Sequence, residues 1–294
     1  MSTQPSIFVE QAEILEHKAF EGDQWIMRVQ APKCAAATLP GQFAHITCHP
    51  LRLMRRPISI MRTSPKQGWV DFLYKVVGEG TELLSAQVVG ESVSLIAPIG
   101  KPFTLSENTK HHLLIGGGVG MPPMVAIADA LQQQGRAKQT FALLGSEVPF
   151  PFNPQPSTFM INGIPDGVIA TMPLMEDWRI ACRLASLQAF AGCFQGYITE
   201  LASLWLEQLS DEDRKQTMIY SCGPTPMLEA VAKVSAQYHV AAQLSLEEHM
   251  ACAVGGCAGC TQPITEEGVT AMKRVCVDGP VFSAQAVYPE LFTA

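Results

Sequence analysis

Four cysteines near the carboxyl end constrain what this chain can fold into. They are Cys252, Cys257, Cys260 and Cys276, with the spacing C-x4-C-x2-C-x15-C. The first three are interleaved with glycines at positions 255, 256 and 259. Glycine allows sharp turns with positive φ and lets backbone N–H groups approach sulfur closely. The pattern therefore predicts a loop wrapped around an inorganic group that the thiolates bind.

The spacing also distinguishes between kinds of metal site. Gaps of four and two residues before a distant fourth cysteine are the pattern of plant-type [2Fe–2S] sites. A tetrahedral zinc site usually has two separated C-x2-C pairs, or cysteines together with histidines. The sequence favours a [2Fe–2S] cluster, with zinc, disulfides or unrelated buried thiols as alternatives. The other five cysteines are scattered and predicted to be buried thiols; they are Cys34, Cys48, Cys182, Cys193 and Cys222.

Length and charge limit the remaining possibilities. A chain of 294 residues suggests two or three domains. The net charge of −7 argues against non-specific nucleic-acid binding, which needs a basic face. The sequence shows no signal-peptide pattern, and no apolar run approaches the roughly 18–20 residues of a membrane span. With cysteines interpreted as reduced thiols, these features predict a cytoplasmic protein.

Residues 6–104 are predicted to form β-strands. Short alternating or β-branched runs are separated by turn sequences such as P-G-Q and S-P-K-Q-G, which predicts an antiparallel barrel or sandwich. Two pieces have the chemistry of a pyrophosphate site: Arg56 followed by Ser59, and Gly80-Thr81 before an apolar run. Arginine supplies a permanent positive fork, and Gly80-Thr81 could open a helix whose N–H groups face phosphates. An exposed arginine pair and an ordinary helix cap are the alternative.

A glycine-rich loop marks the beginning of a second region. The apolar run H-H-L-L-I is followed by Gly116, Gly117, Gly118 and Gly120, then by two prolines and a segment with helical spacing. Strand, glycine loop and helix form the context of a dinucleotide-binding loop. Prolines at the first helical positions cost no hydrogen bond. A simple tight turn between a strand and a helix is the alternative interpretation.

Strand and helix patterns alternate from there to residue 246. Strands are predicted at T-F-A-L-L-G, G-V-I-A-T-M and T-M-I-Y-S, the last running into Cys222-Gly223-Pro224 and a helix. The alternation predicts a parallel sheet with helices on both faces. Both glycine turns would then lie at carboxyl ends of strands, where ligands bind in such sheets. The proline-rich stretch 146–165 is predicted to be a long surface loop.

Taken together, the motifs resemble those of the ferredoxin–NADP reductase superfamily, and more narrowly those of the electron-transfer subunits of class B dihydroorotate dehydrogenases. R-P-I-S at 56–59 matches the flavin motif R-P-x-S, and L-Y-K at 73–75 and G-T at 80–81 match two further FAD contacts. The loop G-G-G-V-G and C-G-P at 222–224 match nicotinamide-domain signatures. The segment V-C-V-D-G-P-V-F matches the cluster domain. The resemblance covers nearly the whole chain in the family's order.

This resemblance implies a multidomain β and α/β fold. It implies an antiparallel FAD-binding β-barrel at 1–106, a Rossmann-like parallel-sheet NAD-binding domain at 107–246 and a small [2Fe–2S] domain at 247–294. Cys252, Cys257, Cys260 and Cys276 would hold the cluster. Cys222 is in addition the candidate catalytic residue, beside the nicotinamide, with a buried thiol as the alternative. The implied cofactor-binding residues are Arg56, Pro57, Ile58, Ser59, Leu73, Tyr74, Lys75, Gly80, Thr81, Gly116, Gly117, Gly118, Gly120, Cys222, Gly223 and Pro224.

The function implied is an electron relay between NAD(H), FAD and the cluster. The implied partner is an FMN-containing dihydroorotate dehydrogenase catalytic subunit of pyrimidine biosynthesis, in a 2+2 heterotetramer. Alternatives are a similar subunit serving ferredoxin, a hydrogenase or a sulfite reductase, and a redox-sensing module without turnover. Two points depart from the pattern: Ile58 stands where the broader superfamily has tyrosine, and the proline-rich stretch 146–165 lies in the nucleotide domain. No readable Asp or Arg distinguishes NADH from NADPH.

Overall fold

A closed barrel forms the first part of the computed structural model, which describes residues 7–50, 52 and 54–292. Its elements are β1 (Phe8–Phe20), β2 (Gln24–Gln30), α1 (Pro32–Ala37), β3 (Phe43–Ile46), β4 (Arg56–Ser64), β5 (Trp69–Lys75), α2 (Glu79–Ser85) and β6 (Ser92–Ile99). The strands are antiparallel and close in the order β1-β2-β5-β4-β3-β6. Alternation drives burial: in β1, Ala12 and Ile14 are buried while Gln11 and Glu13 are exposed. The predicted antiparallel barrel is confirmed.

The second region alternates strands with helices. Its elements are β7 (His111–Gly117), α3 (Met121–Gln133), β8 (Thr140–Gly145), β9 (Gln155–Pro156), β10 (Ala170–Thr171), α4 (Pro173–Asp177), β11 (Ala181–Ser186), β12 (Phe194–Gln195), α5 (Ile198–Glu207), α6 (Asp211–Lys215), β13 (Thr217–Cys222), α7 (Thr225–Tyr238) and β14 (Ala241–Ser245). One hydrophobic core packs α3 against one face of the sheet, and a second packs α5 and α7 against the other. The predicted parallel sheet with helices on both faces is confirmed.

The last part of the chain is connected to both earlier regions. It consists of the hairpin β15 (Thr261–Glu266) and β16 (Val269–Arg274), then β17 (Val281–Ser283) and α8 (Ala284–Val287). β17 pairs antiparallel with β14 and completes a sheet in the order β12-β11-β8-β7-β13-β14-β17. Phe43 and Ile99 of the barrel share a hydrophobic core with this segment. The domain boundaries at 106/107 and 246/247 stay predictions, and the third segment supplies a strand to the second region's sheet.

Two predictions for residues 146–186 were wrong in detail. The G-V-I-A-T-M run forms only β10, which pairs with β9 outside the main sheet, and the sheet strand is β11 instead. Sequence pattern missed β11 because Arg183 interrupts its apolar run; its guanidinium is buried on the carbonyls of Cys182 and Phe159.

The 146–165 stretch is also not simply a surface loop. Phe150 is buried and packs beside Phe152 and Phe190, and the Pro149 carbonyl accepts a 2.7 Å hydrogen bond from Gln24 of the barrel. The stretch therefore ties the barrel to the sheet. No helix within the described ranges is long and apolar enough to cross a membrane.

Candidate functional site

A cavity of about 430 Å³ lies where the barrel, the sheet and the carboxyl-terminal segment meet. The barrel contributes the ends of β4 and β5, and the sheet contributes the end of β13. The structure thus brings together sequence motifs that are far apart in the chain. The predicted residues in its lining are Arg56, Pro57, Ile58, Ser59, Leu73, Tyr74, Lys75, Thr81 and Cys222.

Arg56 and Gly80 are directly apposed at one end of the cavity. The Arg56 guanidinium donates to the Met54 carbonyl at 2.9 Å and lies against Gly80. A Cβ added at Gly80 would lie 2.6 Å from Arg56 Nε, so only glycine leaves the arginine in this position. Gly80 therefore acts by lacking a side chain, because this leaves room for the Arg56 guanidinium.

The turn before α2 is held by the Thr81 hydroxyl. Its oxygen accepts a hydrogen bond from the Val77 N–H at 3.0 Å, and its O–H donates to the Gly78 carbonyl at 3.0 Å. Both bonds stay within one turn, so Thr81 shapes the backbone that borders the cavity. The helix begins at Glu79, so the predicted helix opening at Gly80-Thr81 is observed, one residue earlier.

Tyr74 is held in place by a hydrogen bond to His17, a residue that belongs to none of the predicted motifs. Its hydroxyl lies 2.7 Å from His17 Nε2, and His17 Nδ1 lies 2.8 Å from the Gln87 carbonyl. Since a carbonyl only accepts, Nδ1 carries the proton and Nε2 accepts from the phenol. Burial lowers the pKa of His17, which favours this neutral form.

The two glycine turns of the sheet pack on each other. Gly116 and Gly117 end β7, and Gly118 has φ of +55°. A Cβ on Gly120 would lie 2.2 Å from the Cys222 carbonyl oxygen. These glycines and Gly223-Pro224 are not in the cavity lining; they form the loops at the carboxyl ends of β7 and β13 beside it.

Cys222 lies where these loops meet the cavity. Its side chain is almost fully buried, and burial raises the pKa of its thiol, with the Glu247 charge acting in the same direction and the Ser245 hydroxyl opposing it. A thiol of this kind stays protonated at neutral pH, so it can contact a ring or donate a weak hydrogen bond and is not a thiolate nucleophile.

One wall of the cavity was missed by the sequence analysis. It consists of residues 245–250, which run from the last residue of β14 towards Cys252. No motif marks this segment, and its only signal was its position immediately before Cys252. It places the cavity wall and the cysteine loop on one continuous stretch of backbone.

The four cysteines near the carboxyl end form two pairs. The Cys257 N–H lies 3.4 Å from Cys252 Sγ, and the Cys276 N–H lies 3.5 Å from Cys260 Sγ. Positive φ angles at Ala253, Gly255 and Ala258 turn the loop so that its amides face sulfur. Within the described residues, no three His, Cys, Asp or Glu side chains are arranged to hold a single metal ion.

Amides around Cys252 favour its thiolate. Burial acts against ionisation, but the N–H groups of Cys257, Val254 and Gly256 outweigh it and lower the pKa of Cys252 to about 7. Burial, and then Cys260, raise the pKa of Cys276 to about 12. Metal-binding cysteines act as thiolates, and amides directed at sulfur stabilise that form. Four cysteines in the same segment, with backbone N–H groups directed at the sulfurs of Cys252 and Cys260, are a donor set that fits an iron–sulfur cluster.

These features define a class of protein: a reductase-like barrel and nucleotide-binding sheet joined to a cysteine-rich iron–sulfur segment. Residues 247–288 match the family model "Iron-sulfur cluster binding domain of dihydroorotate dehydrogenase B". The "Dihydroorotate dehydrogenase B (NAD(+)), electron transfer subunit" of Desulforamulus reducens is 32% identical over 90% of this chain and 92% of its own length. The protein of the same name from Shouchella clausii is 34% identical over 83% of this chain and 84% of its own. The chain belongs to this family of electron transfer subunits.

Solved structures agree on the fold. The structure described as an NADH-dependent reduced ferredoxin-NADP oxidoreductase has a TM-score of 0.74 at 26% identity, covering 96% of this chain and 91% of its own. A ferredoxin reductase of carbazole 1,9a-dioxygenase has a TM-score of 0.61 at 22% identity, covering 80% of this chain and 67% of its own. The predicted family, fold class and electron-transfer role are confirmed, and the chain is a subunit of an oxidoreductase. The predicted cofactors are also confirmed: the iron–sulfur family model supports the [2Fe–2S] cluster, and the reductase fold supports FAD and NAD(H).

Proposed function

We propose that the cavity holds the flavin ring of FAD and that its predicted lining residues position it. Arg56 supplies a positive charge at the end beside α2, where a pyrophosphate would be neutralised. Pro57, Ile58 and Ser59 on β4, with Leu73, Tyr74 and Lys75 on β5, form the barrel side. Ile58 is 6% exposed, so an aliphatic surface would face the ligand there.

The nicotinamide nucleotide would lie on the sheet side of the same cavity. The loops containing Gly116–Gly120 and Cys222–Pro224 lie at the carboxyl ends of neighbouring strands, β7 and β13, which is the usual ligand position in such sheets. Gly120 and Cys222 are in backbone contact, which keeps the two loops together. The protonated Cys222 thiol would contact the nicotinamide and orient it against the flavin.

Cys252, Cys257, Cys260 and Cys276 would supply the four thiolates that hold the cluster. Backbone N–H contacts to sulfur link Cys257 with Cys252 and Cys276 with Cys260. When bound, the three cofactors supply two-electron exchange with nicotinamide and one-electron exchange with the cluster. The protein supplies their spacing, their orientation and the exclusion of water.

The observation that carries this function is the shared backbone between cavity and cysteine loop. Met250 lines the cavity and is 8% exposed, and Cys252 is two residues further along the chain. A cofactor in the cavity and a cluster on Cys252 would therefore be held close together by a short covalent segment. This arrangement is what passing electrons between them requires.

The acceptor in this proposal is a dihydroorotate dehydrogenase catalytic subunit that contains FMN. The name shared by the curated relatives supports such a partner. A 2+2 heterotetramer in the cytoplasm is the assembly and location that we propose. The chain would then exchange electrons between NAD(H) and pyrimidine synthesis.

Anaerobic spectroscopy of the purified full chain tests the proposal. We expect a flavin band and a broad iron–sulfur absorbance, both bleached by NADH, with an electron paramagnetic resonance (EPR) signal from the reduced cluster. NADPH at equal concentration provides the comparison for nucleotide preference. Co-purification with the catalytic subunit, and dihydroorotate-dependent reduction of the same bands, would support the partner. A colourless protein containing zinc would contradict the cofactor assignment, and ferredoxin acting as the preferred acceptor would contradict the partner.

A further inference from the structure

Arg274 connects the two parts of the chain that carry the cluster cysteines. It ends β16, two residues before Cys276, and its Nη1 donates to the Gly255 carbonyl at 3.1 Å. Gly255 lies between Cys252 and Cys257 and has φ of +80°. The guanidinium therefore holds the three-cysteine loop against the strand that leads to the fourth cysteine.

Asp278 fixes the orientation of this arginine. Its Oδ2 accepts the Arg274 backbone N–H at 2.8 Å and Nε–H at 3.2 Å, and its own N–H donates to the Arg274 carbonyl at 2.7 Å. The arginine side chain is 43% exposed, so its field at the thiolates is partly screened by solvent.

We propose that Arg274 is a positioning residue for the [2Fe–2S] cluster, acting both as a brace on the Gly255 carbonyl and as a positive charge beside the thiolates. The proposal rests on the assignment of the four cysteines as cluster ligands. A cluster that gains an electron becomes more negative, so a nearby cation stabilises the reduced form and raises the reduction potential. Asp278 orients the arginine and offsets part of its charge.

Three substitutions separate the effect of the Arg274–Gly255 hydrogen bond from the effect of the arginine's positive charge. Arg274→Lys keeps the charge but has no planar fork to join Gly255 and Asp278. We expect it to keep the midpoint potential close to that of the wild type while the cluster is lost to a chelator severalfold faster. Arg274→Gln should show the same faster loss and a more negative potential. Asp278→Asn removes the anion and should shift the potential in the positive direction.

Lys273→Gln is the matched control, since it removes one positive charge from the adjacent residue. Lys273 pairs with Glu266 at 3.3 Å, on the other strand of the hairpin. It should leave the potential and the rate of cluster loss unchanged. The measurements are EPR-monitored redox titration of the full chain and loss of visible absorbance in the presence of EDTA.

Opposite shifts for Arg274→Gln and Asp278→Asn would support the proposal, because a purely structural role would not give opposite signs. If Arg274→Gln loses the cluster outright, the positive shift in Asp278→Asn decides the question of charge. The inference about Arg274 would be overturned, and the cysteine assignment would stand, if all three variants had the same midpoint potential and the same rate of cluster loss as Lys273→Gln. A wild-type chain without a cluster would overturn the cysteine assignment and this inference with it.

Discussion

The cavity and the cysteine loop reach their geometry in different ways. The barrel side of the cavity is built from β4 and β5, whose backbones are held by the barrel ladder, and its Ile58, Leu73 and Tyr74 are buried. The cysteine loop has no regular secondary structure, and Cys257 is exposed. Two alanines in that loop, Ala253 and Ala258, adopt positive φ. The conformation of the cavity is stabilised by packing of the barrel, whereas we expect the conformation of the loop to be stabilised mainly by the group that it binds.

The comparison predicts that damage to one site leaves the other intact. Ladder hydrogen bonds and a closed barrel keep the cavity's shape without a ligand. A loop with strained φ angles and few backbone partners is stabilised mainly by metal–sulfur bonds, so binding and local folding are linked.

Removing one ligand of the cluster should abolish it. We expect Cys257→Ser to lose the iron–sulfur absorbance and the EPR signal completely, because one iron would lack a thiolate. FAD affinity should remain within about twofold of the wild type, since the cavity does not use this residue. Hydrogen exchange should increase in residues 251–260 and stay low in β4 and β5.

Cys193→Ser is the control for that variant, since Cys193 is partly buried outside the cysteine loop. It should keep both cofactors. Retention of a normal cluster in Cys257→Ser, or parallel loss of FAD, would contradict the independence of the two sites.

Removing the cavity's arginine should give the converse result. Arg56→Gln should weaken FAD binding by about 1.5–3 kcal/mol, or about ten- to hundredfold in Kd, because a charged hydrogen-bond donor is lost. Fluorescence titration of the apoprotein measures this, and the cluster signal should persist. Arg179→Gln, which changes an exposed arginine, is the control. An unchanged Kd would remove Arg56 from the site.

Acid should destabilise the sheet through His112. Burial lowers the pKa of His112 to about 4, with Arg136 and His111 adding to the effect. The unfolded chain, with a histidine pKa near 6.5, binds the proton first, so stability is lost as pH falls from about 6.5 towards 4. We expect a loss of about 1–2 kcal/mol at pH 5 relative to pH 7.

Urea unfolding at pH 7 and pH 5 measures this dependence, and His112→Leu should reduce the loss by about 1–2 kcal/mol. His239→Leu is the control, because His239 caps a helix at the surface. A loss of stability that is unchanged in His112→Leu would assign the acid sensitivity to another group.

The smallest effect concerns a glycine behind the cavity. Gly80→Ala should push the Arg56 guanidinium aside and weaken FAD binding by about 0.5–1 kcal/mol, or about two- to fivefold. Gly78→Ala is a close control, because a Cβ there meets nothing within 4 Å and its φ of 173° suits any residue. Equal Kd values for the two variants would show that Gly80 does not set the arginine's position.

Sequence predicted most reliably what is local in the chain. The cysteine spacing, the R-P-I-S segment and the strand–glycine–helix order at 111–133 each act within a few residues, and the barrel and sheet agree with them. Periodicity failed at β11, because a buried arginine on carbonyl groups looks polar in sequence. It also failed at 167–172, where the apolar run forms only β10, outside the main sheet. The individual ligand roles of the site residues stay predictions.

Other features were decided only by the tertiary structure. The cavity wall at 245–250 and the closure of the sheet by β17 depend on where distant segments meet. His17 on Tyr74 and Arg274 on Gly255 are contacts between residues 57 and 19 positions apart. A motif encodes the chemistry that a short segment can offer. Burial, apposition and electrostatic environment arise from packing between segments that no local pattern relates.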